Sequence, residues 1–143
     1  MQANLLMQMS QAYIDKYTFA ERTQFTWNLL RACSISPGMV GFLYLAEMLM
    51  LCTEKPVSGL MHTTALYREV AGRFDVTWQS VERAARMALD KAWNISGGNM
   101  PICTRPGLDE KNRPTITEFL AEAAAYLLIT HGLKNAVSMK AAE

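Results

Sequence analysis

The sequence predicts an all-α fold of about six helices, and three observations carry that prediction. Apolar residues recur at steps of three and four along most of the 143 residues. No stretch of useful length alternates apolar and polar residues as a half-buried strand would. The interruptions are short and carry helix punctuation, such as Ser before Pro, Thr before an apolar run, and clusters of Gly and Pro. Hydrophobic residues make up 50% and charged residues 19%, the balance of a globular chain and not of a disordered tail. A core of domain size is expected, for which the ten methionines are suitable filling.

The elements follow in order. Leu5, Leu6, Met9, Tyr13 and Tyr17 give a first helix from Asn4 to Tyr17, and Phe19 to Cys33 a second. At "SPG", Ser36 is expected to cap and Pro37 to open a third helix over Met39 to Cys52. After "EKPVSG" the pattern resumes from about Leu60 to Arg73, pauses at "FDVT", and runs from Thr77 to Trp93. The stretch "NISGGNMPICTRPGLDEKNRP" reads as an extended connection. A last helix, Thr115 to Thr130, starts with a capping box of Thr115 and Glu118.

Several function classes are excluded at this level. Cys33, Cys52 and Cys103 are too far apart for a metal knuckle or redox pair and read as free, mostly buried thiols. His62 and His131 have no matching acid or thiol motif; His62 is expected at a helix start and His131, followed by Gly132, at a helix C-terminus. Gly97 and Gly98 lack the spacing of a phosphate cradle. No enzyme, no metal and no cofactor is expected. The longest apolar stretch, Met39 to Cys52, is interrupted by Glu47, and no signal peptide opens the chain, so no membrane partner and a cytoplasmic location are expected. With a net charge of +1, DNA binding has to rest on a few well-placed cations.

The segment Tyr67 to Arg86 has the pattern of a helix-turn-helix. Val70, Phe74, Val76, Val81 and Ala84 are expected inside, with Ala71 letting the two helices approach. Asp75 stands where a left-handed residue is needed, a conformation Asp tolerates. Thr77 is a good N-cap. On the second helix Val81, Ala84, Ala85, Ala88 and Ala92 form a small-residue face expected to dock on the first helix. Gln79, Ser80, Glu82, Arg83, Arg86 and Met87 are left on the other face. Arg can bond the O6 and N7 of guanine and Glu can accept from the cytosine amino group, so Glu82 and Arg83 suit base edges. Glu82 and Arg86 also stand four apart, as a solvated helix face would have them.

The stretch "LYREVAGRFDVTWQSVERAARMALDKAW", with "GFLYLAEML" upstream and "RPTITEFLAEAA" downstream, resembles the C-terminal DNA-binding effector domain of the master response regulator of sporulation initiation in endospore-forming Firmicutes. The likeness runs from about Asn28 to His131 and implies an all-α domain of helix-turn-helix type. It further implies binding to tandem DNA boxes as a head-to-tail dimer and contact with RNA polymerase. On this resemblance the base-reading residues are Ser80, Glu82, Arg83 and Arg86. Arg73, Thr77, Gln79, Lys111 and Arg113 are expected to reach phosphate, Lys111 and Arg113 from a basic loop. Ser80 departs from the family's Arg, which removes roughly 1 to 3 kcal/mol of discrimination at one base pair. Trp78 is read as a cover over the turn.

Residues 28–143 are accordingly expected to form the effector-like domain, and 1–27 an N-terminal helical extension too short to be a receiver domain. The stripe Leu5, Met9, Tyr13 and Tyr17 must be buried somewhere. Because the family's domain folds without such a segment, a symmetric homodimer is expected there. The partners are then double-stranded DNA, RNA polymerase and a second copy of the chain. The alternative is a non-catalytic protein-interaction module of the same fold that binds a regulator or the polymerase without reading DNA.

Overall fold

The computed structural model describes residues 2–55, 63–102 and 113–133. Among these residues there are six α-helices and no strand: α1 (Gln2–Lys16), α2 (Phe19–Ala32), α3 (Val40–Glu54), α4 (Thr63–Phe74), α5 (Trp78–Ile95) and α6 (Ile116–Leu127), the last continuing into a π-helical turn, Leu128–Leu133. None of the helices is long and apolar enough to cross a membrane. His62, Cys103 and Lys111 lie outside the described residues.

Helix α3 is apolar on nearly every side, and such a helix is stable only when surrounded. It is the centre of the fold: Phe42, Leu45, Met48, Leu49 and Cys52 are fully buried, and α1, α2, α4, α5 and α6 all pack on it. Glu47, which breaks the apolar run, turns outward to Arg73 at 2.9 Å. Burial pushes the Cys52 thiol up to about 12, so this cysteine is inert filling.

Local signals set most helix ends. Thr18 with Glu21 and Thr115 with Glu118 close capping boxes at the starts of α2 and α6. Helices α2, α4 and α5 stop alike, with one left-handed residue and a bond reaching five residues back: Ser34, Asp75 and Gly97 have φ of 67°, 55° and 65°. The amides of Ile35, Val76 and Gly98 donate to the carbonyls of Leu30, Ala71 and Trp93. The start of α3 differs from expectation. Its N-cap is Met39, without a side-chain bond, because Ser36 instead accepts from the Gly38 amide and serves the turn before the helix.

The N-terminal stripe finds its burial inside the chain. Met9 and Tyr13 pack with Leu128, flanked by Leu6, Tyr17 and Phe25, and Ser10 donates to the carbonyls of Thr53 and Glu54 at the open end of α3. His131 stands in the last helical turn, as expected, and its ring stacks on Phe25 with centroids 4.1 Å apart and meets Tyr17 edge-on at 5.6 Å. The boundary expected after residue 27 falls within α2. With Tyr13 fully buried, the stripe no longer argues for a homodimer, and of its members only Leu5 stays exposed.

Candidate nucleic-acid interface

Helices α4 and α5, joined by the three residues Asp75, Val76 and Thr77, form the expected two-helix unit. The turn is a Schellman closure with Asp75 left-handed, and Thr77 then caps α5 by accepting from the Ser80 amide at 3.2 Å. Val70, Ala71 and Val81 are buried between the helices. Phe74 and Val76, expected inside, are 39% and 38% exposed. The closure lies at the surface, so the helices touch one turn earlier, and Phe74 only covers the edge of Tyr44 at 5.2 Å.

The small face of α5 docks on α4 as expected, through Val81, but not on α4 alone. Val81, Ala85, Ala88 and Ala92 are buried as expected, joined by Leu89 and Trp93, and the same face also comes up against α3. A Cβ on Gly41 would stand 2.1 Å from the Ala84 carbonyl oxygen and 2.8 Å from the Ala88 Cβ. The small residues let two backbones touch, and Gly41 is the residue that makes it possible. Its signal in the sequence is a glycine inside an otherwise apolar helical run.

The opposite face is presented to solvent. Gln79, Ser80, Arg83, Arg86 and Met87 are exposed and Glu82 is half-buried. Each candidate has a different state. Ser80 is turned back on the cap, its hydroxyl 2.8 Å from that of Thr77. Arg86 donates to Glu82 at 3.0 Å, one turn apart. Arg73 is spread between Glu47 at 2.9 Å and Glu69 at 3.3 Å, which ties α4 to α3. Arg113 stands 3.6 Å from Asp90 of α5. Arg83 has no ion-pair or hydrogen-bond partner among the described residues.

Two residues that sequence reasoning does not single out for the site shape this face. Tyr67 on α4 is buried under it, its ring parallel to that of the half-buried Trp78 with centroids 6.4 Å apart. Burial pushes the Tyr67 phenol above its usual range, the Glu82 charge adds to this, and Arg86 opposes it. Asp90 is the second. Together with Tyr67, Glu82, Arg86, Leu89 and Arg113 it walls a cleft of about 420 Å³ between α5 and the start of α6. No cluster of His, Cys, Asp and Glu among the described residues is arranged to hold a metal ion.

A two-helix unit with a capped, solvent-facing second helix and cations along it is suited to duplex DNA, whose major groove admits one helix and whose backbone attracts cations. The chain matches, over residues 26–127, the family described as Sporulation initiation factor Spo0A C terminal. The match takes in all of α3, α4, α5 and α6 and spans well over half the sequence. The chain therefore belongs to the family of Spo0A C-terminal domains, the DNA-binding effector domains of sporulation regulators.

Proposed function

We propose that the protein is a sequence-specific transcription regulator that lays α5 in the major groove, with Arg83 as its main reader of guanine. The observation that carries this reading is the state of Arg83. Of the arginines assigned to DNA in the described residues, Arg73, Arg86 and Arg113 each have a carboxylate partner, whereas Arg83 has none among the described residues and projects from the presented face of a capped helix. An unpaired guanidinium reaches a base edge without first breaking a bond inside the protein.

Around Arg83, Glu82 and Arg86 act as a linked pair. Arg86 is free to reach a second base only as Glu82 turns to a cytosine amino group, so the two are read together. Ser80 serves the cap and contributes little discrimination. Thr77 and Gln79 on the first turn, with Arg73, Lys111 and Arg113, complete the phosphate contacts. RNA polymerase and a second copy of the chain on neighbouring boxes are the protein partners that belong with this role.

The test is selection of bound sequences from a random duplex pool at a stated salt concentration, followed by binding of Arg83→Ala to the selected site and to random DNA. Enrichment of a motif is expected, with Arg83→Ala losing about 1 to 3 kcal/mol of preference at one guanine. Equal loss on both duplexes would remove Arg83 from the reading role. A pool that yields no motif would favour the interaction module.

A further inference from the structure

Gln79, Arg83, Arg86 and Asp90 follow one another along α5 at steps of four, three and four, which sets them in one line on the same face of the helix. The line that carries the two arginines toward DNA thus ends in a carboxylate. Asp90 is only partly covered, with its side chain 32% exposed, and it stands at the wall of the cleft beside Arg86. Its partner across the cleft is Arg113, 3.6 Å away, on the residues that lead into α6. A carboxylate in this place repels phosphate and also occupies a cation that would otherwise meet it. In a chain with a net charge of only +1, one such group matters more than it would on a strongly basic domain.

We infer that Asp90 restrains DNA affinity by holding Arg113, so that Arg113 reaches a backbone phosphate only by leaving its carboxylate. This inference rests on the DNA-reading role proposed above. The restraint acts on binding to any duplex, because phosphate contacts carry no sequence information. It keeps the protein off bulk DNA and leaves selection to the bases read by Arg83. A purely structural Asp90 makes the opposite forecast. If the pair were only a strut fastening the start of α6 to α5, weakening it would loosen the site and lower affinity.

The test measures binding of the full chain to a short random-sequence duplex at two salt concentrations. The variants are Asp90→Asn, Asp90→Glu, Arg113→Ala and the double variant Asp90→Asn with Arg113→Ala. Asp90→Asn is expected to bind about threefold to tenfold more tightly and with a steeper salt dependence, Asp90→Glu to stay near the wild type, and most of the gain to be lost in the Arg113→Ala background, where only relief of direct repulsion remains. Unchanged or weaker binding by Asp90→Asn overturns the restraint, as does a gain that survives undiminished without Arg113. Wild-type protein that binds no duplex overturns the DNA-reading role, and the restraint with it. Wild-type binding without a gain in Asp90→Asn overturns the restraint alone.

Discussion

Helix α5 meets α3 at Gly41, where a carbonyl oxygen occupies the space a side chain would need, while α1 meets the other end of α3 through Ser10 and buries its apolar stripe among Tyr13, Tyr17, Phe25 and His131. The first contact is made by absence and has little slack, since a backbone atom moves aside only when its whole helix shifts. The second is made by rings, which tilt and slide at small cost and share the burial between them. The contact with little slack is the one that sets where Arg83 and Arg86 stand. It thus lies behind the face that the proposed function assigns to DNA, and the N-terminal contact contributes stability.

Four substitutions sharpen or break that contrast. The largest effect on stability is expected from Tyr13→Ala, which empties a fully buried site and should cost about 3 kcal/mol or more in chemical denaturation. Its affinity for DNA in the folded state should stay within about twofold of the wild type, because additivity holds for distant sites. A parallel loss of DNA affinity would break the contrast.

Gly41→Ala should cost less stability, about 1 to 3 kcal/mol, because the better helix propensity of Ala offsets part of the overpacking. Unlike Tyr13→Ala it should weaken specific DNA binding well before the protein unfolds, since α5 has to shift away from α3. A titration showing full affinity would mean that the α3 contact does not position the reading face.

Thr77→Ala removes the cap of α5 and the partner of the Ser80 hydroxyl. The expected loss is about 1 kcal/mol of stability, seen as a lower denaturation midpoint with an unchanged slope. The smallest effect has the opposite sign. Asp75→Gly relieves a left-handed conformation at φ 55° and should stabilise by about 0.5 kcal/mol after the added chain entropy is subtracted. Destabilisation would show that the Asp75 side chain makes a contribution beyond its backbone conformation.

Much of the helix-turn-helix is legible in the order of residues alone, and particular positions show why. Asp75 as the left-handed residue, Thr77 as the cap, Thr115 with Glu118 as a capping box and the small face of α5 are all written within one or two helical turns. Steric limits and hydrogen bonds between near neighbours decide such features, and they do not wait for the rest of the chain. The presented face, with Arg83 and Arg86, follows from the same periodicity, and the resemblance then supplies its use.

What the fold adds is the identity of every distant partner. Nothing in the spacing of Val81, Ala84, Ala85, Ala88 and Ala92 says that the small face meets α3 as well as α4. Gly41 settles that, more than forty residues upstream of Ala84. Nor does the sequence say that Glu47 and Glu69 share Arg73, that Asp90 holds Arg113, or that the N-terminal stripe closes on the turn around His131. Periodicity determines which side of a helix is apolar or charged, because it needs only the helix's own geometry. Which surface that side faces depends on the simultaneous packing of all the others around α3, and only the tertiary structure decides it.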